Sequence, residues 1–199
     1  MISLRDKNIE IFKKALMITD KCFPPFIDKN NEIYMESYMN IEWSEDSVES
    51  IFNAPENKRI GVLNFADGYT PGGLVWQGES TQEECLCRAS NLYGYLEKIE
   101  YPIDGKLVYT KDVVFFMRGD GKLISPRKVD VITCPAPVHS LVDAKRRMLM
   151  ILDAARLNGV SWLILGKWGC GAFGNDWEEY KVLWRDALGE RHMRMDLEI

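Results

Sequence analysis

The sequence predicts an α/β sandwich in which helices cover a central mixed β-sheet. Two stretches indicate this fold, because residues 59–99 and 160–188 each combine a buried strand, a glycine-rich loop and a helix. Between them, two strand-like segments flank a tight turn. Alternating strands and helices are typical of sheets that contain parallel strands and carry helices on their faces.

Length and composition indicate one globular unit. The chain has 199 residues, of which 46% are hydrophobic and 28% charged, and this suffices for one substantial core but not for two. We expect a single domain over residues 1–199, with an N-terminal helical extension over about residues 1–25. The net charge of -5, with scattered Lys and Arg, argues against a nucleic-acid groove or a membrane surface as partner.

The cysteines and the N-terminal residues indicate a reducing compartment. Five cysteines are an odd number without paired Cys-x-x-Cys spacing, and residues 2–14 lack the apolar stretch of a signal peptide. Cys85 and Cys87 have no histidine at ligand spacing, so we expect no metal site. No run approaches the ~20 apolar residues of a membrane span. We therefore expect a soluble, cytoplasmic protein. We also expect a monomer and no cofactor.

Hydrophobic periodicity and turn residues place the individual elements. Apolar positions at helical spacing predict a first helix over residues 4–18, which Pro24 and Pro25 would stop. An acidic start and Gly159 as a stop predict a later helix over residues 143–158. The remaining predicted elements are strands over 59–65, 113–117, 128–134 and 160–165, and helices over 80–99 and near 178–188. The turn Gly119-Asp120-Gly121 predicts that the second and third of these strands form a hairpin.

The first glycine loop, residues 66–79, joins a strand to a helix. It contains Gly72 and Gly73, and the helix begins near the run Gln-Glu-Glu at residues 82–84. Glycines let the backbone approach a ligand closely and a helix start favours negative charge, so this arrangement suits a phosphate. The alternative is structural, because Ser80-x-x-Glu83 and Thr81-x-x-Glu84 both fit a capping box.

The second glycine loop, residues 166–176, follows the last strand and contains a match to GxGxxG over residues 169–174. A Rossmann site is not expected, because the motif lies too close to the C-terminal end for the rest of a dinucleotide-binding half. The loop either only reverses the chain or holds a phosphate. Two such loops at strand ends in one small domain favour a phosphate, since ligands bind outside the carboxyl ends of strands.

Four segments in the same order resemble the microbial poly(ADP-ribose) glycohydrolases of the macrodomain superfamily. They are residues 63–88, with LNFA, PGG, QEE and LCR, residues 114–118 (VFFMR), residues 132–137 (ITCPAP) and residues 165–175 (LGKWGCGAFGN). The resemblance covers about residues 40–185. It implies a macrodomain-like three-layer sandwich with a central mixed β-sheet flanked by helices.

The resemblance also implies roles for particular residues. Glu84 would be the catalytic acid, and Glu83 would hold ribose hydroxyls. The substrate-binding residues would be Asn64, Asp67, Gly72, Gly73, Gln82, Gly169, Cys170, Gly171, Ala172 and Phe173. The implied activity is hydrolysis of an ADP-ribosyl linkage, ribose–ribose or a related O-glycosidic bond, with release of ADP-ribose.

The chemistry of this cleavage agrees with a glutamate at the site. Breaking a ribosyl C1–O bond passes through an oxocarbenium-like state, and it needs one proton given to the leaving oxygen and one taken from water. One carboxyl group can serve both steps. Glu83 and Glu84 diverge by roughly 100° on a helix, so we expect different roles rather than a facing pair.

Two alternative functions stay open. In the first, the chain is a non-catalytic ADP-ribose reader or sponge, in which Leu74 in place of the family's third glycine has disabled turnover. In the second, it hydrolyses a small ADP-ribose derivative. Turnover at substrate excess distinguishes an enzyme from a reader.

Overall fold

Five strands form one mixed sheet in the computed structural model, which describes residues 2–23, 39–191 and 193. The strands are β1 (Asn40–Trp43), β2 (Ile60–Asn64), β3 (Val108–Met117), β4 (Leu123–Thr133) and β5 (Trp162–Leu165). Their order across the sheet is β1-β5-β2-β4-β3. The β3–β4 pair is antiparallel and the other neighbouring pairs are parallel. The predicted mixed sheet and its hairpin are therefore confirmed.

Helices cover both faces of the sheet. They are α1 (Leu4–Cys22), α2 (Ser47–Asn53), α3 (Gln82–Ala89), α4 (Leu92–Leu96), α5 (Leu141–Leu157) and α6 (Trp177–Glu190). Apolar residues of α5 and α6 form one core with one face of the sheet, and apolar residues of α1 to α4 form a second core with the other face. The expectation of one core is therefore wrong, because helices cover both faces of the sheet and each covered face builds its own apolar layer. This is the three-layer arrangement expected from the sequence. Within the described ranges, no helix is long and apolar enough to cross a membrane.

Strand β2 lies at the centre of the molecule, and all five of its residues are buried. Leu63 packs into the core with α5 and α6, whereas Ile60 and Val62 pack into the core with α1 to α4. Successive side chains of a strand point to opposite faces, so a strand that is covered on both faces becomes apolar throughout. The short apolar run in the sequence thus marks the strand that carries the first glycine loop.

Helix ends agree with the capping residues in the sequence. Helix α1 begins after Ser3, whose hydroxyl accepts the Asp6 N–H at 3.1 Å, and it runs to Cys22, four residues beyond the predicted end. Pro24 and Pro25, the predicted stop, lie outside the described residues. Helix α5 ends just before Gly159, which has a φ of +71° as a helix C-terminal glycine commonly does.

The single helix predicted over residues 80–99 is wrong, because the structure divides it into α3 and α4. The break is at Ser90, whose backbone is extended and bridges to Phe115 of β3. The Ser90 hydroxyl donates to Leu86 O at 2.7 Å and accepts the Leu92 N–H at 3.1 Å. The neighbouring Asn91 accepts the Val114 N–H at 2.9 Å. These side chains replace helical hydrogen bonds, as serine and asparagine commonly do.

Strand β1 and helix α2 were not predicted from the sequence. Strand β1 has only four residues and pairs in parallel with β5, Asn40 opposite Trp162. Helix α2 begins after Asp46, whose Oδ1 accepts the N–H groups of Val48 and Glu49 at 3.0 and 3.1 Å. Both elements are too short for a periodic pattern to distinguish them from a loop.

Candidate active site

The carboxyl ends of β2, β4 and β5 lie side by side. Strand β2 pairs in parallel with both β4 and β5. Beyond the strands, the Cys134 N–H donates to Asn64 O at 3.3 Å, and a Cβ placed on Gly166 would lie 3.0 Å from the ring of Phe65. Both glycine loops therefore start at adjacent strand ends, where α/β proteins bind their ligands.

Gln82 fixes the start of α3 to the end of β2. Its Oε1 accepts the Phe65 N–H at 2.9 Å, and its Nε2 donates to Leu63 O at 2.8 Å and to Ser47 Oγ at 3.0 Å. The amide that we expected to bind substrate is thus engaged within the protein. Its position places the next two residues of α3, both glutamates, beside the first glycine loop.

Glu83 is buried at the end of β2, with 2% of its surface exposed. Its Oε1 accepts a hydrogen bond from Asn64 Nδ2 at 3.1 Å, and its Oε2 accepts the Asp67 N–H at 2.7 Å. Burial raises the pKa of Glu83 to about 8, since these two hydrogen bonds only partly offset the cost of desolvating its charge, and the charge of Glu84 adds to the rise. Glu83 is therefore mostly protonated at neutral pH.

Glu84 is the second buried glutamate, with 4% of its surface exposed. Its Oε1 accepts the Leu74 N–H at 2.9 Å, and its Oε2 accepts a hydrogen bond from the Thr81 hydroxyl. Hydrogen bonds on both oxygens hold the carboxyl group in one orientation at the first glycine loop.

The capping-box interpretation is not supported. Among the described residues, the one before helix α3 is Thr81. Its side chain makes no hydrogen bond to a backbone N–H of that helix. Glu84 instead accepts hydrogen bonds from the Leu74 N–H and the Thr81 hydroxyl. Its carboxyl group is therefore held by one backbone N–H of the loop and by the side chain of the residue that precedes the helix, and the reciprocal backbone hydrogen bonds of a capping box are not what holds it.

Gly73 brings the two carboxyl groups into one site. Its φ is +58°, and a Cβ at this position would overlap Glu84 Oε1 and lie 3.2 Å from Glu83 Oε2. Adjacent residues of a helix point in directions that differ by roughly 100°, yet both of these carboxyl groups border the same glycine of the loop. Gly72 is also constrained, with a φ of +69° and the Tyr93 ring 2.8 Å from its Cβ position.

Leu74 occupies the position of the family's third glycine without strain. Its φ of -101° and ψ of 31° are accessible to any L-residue, and the residue is 41% exposed. Glu84 is contacted by the backbone N–H of residue 74, and a leucine supplies this N–H as well as a glycine does. The geometry gives no sign that Leu74 distorts the loop.

Asp67 shapes the beginning of the first glycine loop. Its Oδ1 accepts the N–H groups of Tyr69 and Thr70 at 2.7 and 3.0 Å, in the manner of an Asx turn. Its own N–H is the one that donates to Glu83. Asp67 therefore orders the backbone that holds Glu83.

The second glycine loop is held by hydrogen bonds at Gly169 and is exposed at Gly171 and Ala172. Gly169 has a φ of +76°, and Asn175 Nδ2 donates to Gly169 O at 3.0 Å and to Pro137 O at 2.9 Å. Gly171 and Ala172 are exposed, and no atom lies within 4 Å of a Cβ placed on Gly171. The loop thus presents exposed backbone next to the end of β5.

Cys170 and Phe173, also predicted in the second glycine loop, are half-buried. Burial raises the pKa of Cys170 to about 11, with the charge of Asp176 adding to the rise. The thiol is therefore protonated at neutral pH and is a poor nucleophile. Substrate binding by this loop stays a prediction.

Sequence reasoning missed the contribution of β1 to this edge of the sheet. The Ser44 N–H, just after β1, donates to Leu165 O at 2.9 Å, and a Cβ on Gly166 would lie 2.7 Å from Ser44 O. Ile41 and Trp43 alternate with polar residues, and this weak strand pattern was the available signal.

Among the residues described, no group of three or more His, Cys, Asp and Glu side chains is arranged to hold a metal ion.

The family model of the microbial-type PARG catalytic domain matches residues 12–117. This chain belongs to the microbial-type PARG family. The match contains the first glycine loop and both glutamates, so the family resemblance inferred from the motifs is confirmed. Among curated proteins, nothing matches the chain.

Solved structures of PARG proteins share this fold. The poly(ADP-ribose) glycohydrolase of Thermomonospora curvata is 22% identical, with a TM-score of 0.70, over 92% of this chain and 90% of that one. The Deinococcus radiodurans protein in complex with ADP-ribose is 24% identical, with a TM-score of 0.70, over 94% of this chain and 79% of that one. A T. curvata structure bound to the inhibitor ADP-HPD is 23% identical, with a TM-score of 0.65, over 92% and 85%. At these identities the likeness establishes the fold.

Proposed function

We propose that this chain is a glycohydrolase that cleaves ADP-ribosyl O-glycosidic bonds, including the ribose–ribose bond of poly(ADP-ribose), and releases ADP-ribose. The observation that carries the proposal is the meeting of two buried carboxyl groups, Glu83 and Glu84, at Gly73. Membership of the PARG family supports it. The related T. curvata and D. radiodurans proteins are poly(ADP-ribose) glycohydrolases, and structures of them contain ADP-ribose or ADP-HPD.

Glu84 is the general acid in this proposal. It gives its proton to the leaving ribose oxygen as the C1–O bond breaks, and then takes a proton from the water that attacks C1. The carboxylate formed in between accepts hydrogen bonds from the Leu74 N–H and the Thr81 hydroxyl, which stabilise its charge. One residue thus performs both proton transfers, and no second carboxylate is needed as nucleophile.

Glu83 binds the ribose hydroxyls in this proposal. Because burial keeps Glu83 protonated at neutral pH, it both accepts and donates hydrogen bonds, and a hydroxyl group has the same dual character. A neutral Glu83 also avoids placing two negative charges beside Gly73. Asn64 and the Asp67 N–H hold its carboxyl group in position.

The second glycine loop holds the diphosphate in this proposal. Gly171 and Ala172 leave backbone exposed next to the end of β5, and backbone N–H groups bind phosphate oxygens without a basic surface. The net charge of -5 is compatible with such local recognition. The expectation of a cytoplasmic monomer stays a prediction.

Two measurements on the wild type test this function. ADP-ribose should raise the melting temperature more than AMP or NAD does, because only ADP-ribose fills both loops without placing a nicotinamide near Glu84. Release of ADP-ribose from poly(ADP-ribose) at substrate excess should then show many turnovers. No thermal shift at millimolar ADP-ribose would contradict the binding site, and a shift without turnover would favour the reader. Turnover only of a small ADP-ribose derivative would favour the second alternative.

A further inference from the structure

Helix α1 packs directly against the first glycine loop. The family match begins at residue 12, so the first two turns of α1 precede the matched region. These turns nevertheless contact the segment that borders both glutamates. Two groups of contacts join the helix to residues 72–79, one at each end of that segment.

The first contact is at Gly78. Asn8 is buried, and its Nδ2 donates to Gly78 O at 3.0 Å. Gly78 has a φ of +77°, and a Cβ at this position would overlap Arg5 O and lie 2.8 Å from Arg5 C. The loop backbone therefore lies on the helix backbone, and an ion pair between Arg5 and Glu79 adds an exposed contact beside it.

The second contact is an aromatic cluster around Phe12, which is fully buried. Its ring packs edge-on against Trp76 at 4.9 Å and Tyr93 at 5.1 Å between centroids. Trp76 Nε1 donates to the Tyr93 hydroxyl at 2.9 Å. The Tyr93 ring in turn lies 2.8 Å from the Cβ position of Gly72. Phe12 thus supports the other end of the segment, from Gly72 to Trp76.

Leu74, between these two contacts, donates its N–H to Glu84. We propose that α1 is a brace that holds the first glycine loop over Glu84, with Asn8 and Phe12 as positioning residues. Loss of either contact frees the loop and misplaces the N–H that orients the Glu84 carboxyl group. The catalytic consequence rests on the proposed function, whereas the effect on loop motion does not.

Ile11, the neighbour of Phe12, provides a matched control. It is also buried on α1, but it packs with Phe116 and Met117, and its Cγ1 lies 3.0 Å from the Cβ position of Gly121 in the β3–β4 turn. Ile11→Ala therefore removes a buried side chain from the same helix without touching the first glycine loop. It reports the effect of lower stability alone.

The experiment compares Asn8→Ala, Phe12→Leu and Ile11→Ala in the full chain. Amide hydrogen exchange of residues 72–79 should accelerate by at least ~10-fold in the first two variants and stay at the wild-type rate in Ile11→Ala. The kcat on poly(ADP-ribose) should fall by at least ~10-fold in the first two variants, with ADP-ribose Kd within about threefold of wild type. Ile11→Ala should keep the wild-type kcat below its melting temperature.

Two results would overturn the brace. One is exchange of residues 72–79 that is the same in Asn8→Ala, Phe12→Leu and Ile11→Ala. The other is an active wild type whose kcat falls equally in Phe12→Leu and Ile11→Ala. An inactive wild type would instead contradict the proposed function, and the exchange rates would still decide whether α1 holds the loop.

Discussion

The two glycine loops differ in what surrounds their glycines. Gly73 of the first loop has a positive φ, and its Cβ position is occupied by the carboxyl group of Glu84. Gly171 of the second loop has no such φ, and no atom lies within 4 Å of its Cβ position. The protein's own packing requires glycine at residue 73, whereas no described contact requires it at residue 171. At Gly73 the first loop packs against the protein's own carboxyl groups, whereas at Gly171 the second loop is open.

The largest effect should come from the carboxyl group of Glu84, which packs against Gly73 of the first glycine loop. Glu84→Gln keeps the size of the side chain but cannot deliver a proton, so kcat should fall by at least ~100-fold, ~2.7 kcal/mol, with ADP-ribose affinity nearly intact. Glu83→Gln should lower affinity and rate together, and less steeply. Release of ADP-ribose from poly(ADP-ribose) measures both, with melting temperatures as folding control.

This pair of variants also tests which glutamate is the acid. The raised pKa of Glu83 favours its protonated form, the form that a general acid needs. A steeper loss of kcat in Glu83→Gln than in Glu84→Gln would exchange the two roles. Full activity in Glu84→Gln would rule out its catalytic assignment.

The next effect compares the same substitution in the two loops. Gly73→Ala forces a side chain into a positive φ and against Glu84, so it should lower the free energy of unfolding by about 1–3 kcal/mol. Gly171→Ala meets neither constraint and should change stability by less than about 0.5 kcal/mol. Urea denaturation of both variants measures the difference. Equal losses would show that the loops do not differ in the way their geometry indicates.

Affinity for ADP-ribose, unlike stability, should be sensitive to a substitution at Gly171 of the second glycine loop. Gly171→Val should weaken ADP-ribose binding by more than ~10-fold, ~1.4 kcal/mol, because the side chain fills the space where the diphosphate approaches. Gly119→Val is the matched control, since Gly119 also has nothing within 4 Å of its Cβ position but lies in the turn of the β3–β4 hairpin. Calorimetry on both variants decides the point. Wild-type affinity in folded Gly171→Val would show that this loop does not hold the diphosphate.

The last prediction concerns the pH dependence of stability. The pKa of Glu83 is about 8 in the folded protein against 4.5 for an unperturbed glutamate, so the native state keeps a proton that the unfolded state loses between these values. The stabilisation from the protonated form is complete below pH 4.5 and is lost as the pH rises through about 8. Glu83→Gln removes this loss, so its melting temperature relative to wild type should increase from pH 5 to pH 9. Melting temperatures of wild type and Glu83→Gln that change in parallel with pH would contradict the raised pKa of Glu83.

Local sequence patterns were sufficient for the central strands, the hairpin and the long helices. Strand β2 and helix α5 are long or apolar enough for their periodicity to be read, and the glycines after β2 and β5 marked both loops. Strand β1 and helix α2 were missed because four and seven residues carry too little periodicity. The helix predicted over residues 80–99 is interrupted at Ser90, because the Ser90 side chain forms hydrogen bonds with the neighbouring backbone groups. The spacing of apolar residues gives no information about such side-chain hydrogen bonds.

The sequence by itself determined the family, because Glu83 and Glu84 follow a glycine-rich strand end in the order of the family motif. Only the tertiary structure decided how they are held. The Leu74 N–H lies ten residues before Glu84 in the chain, and Asn8 lies 70 residues before the carbonyl of Gly78 that it holds. Contacts between residues so far apart depend on how α1, the loop and α3 pack together, and a local pattern of residue types carries no record of that packing.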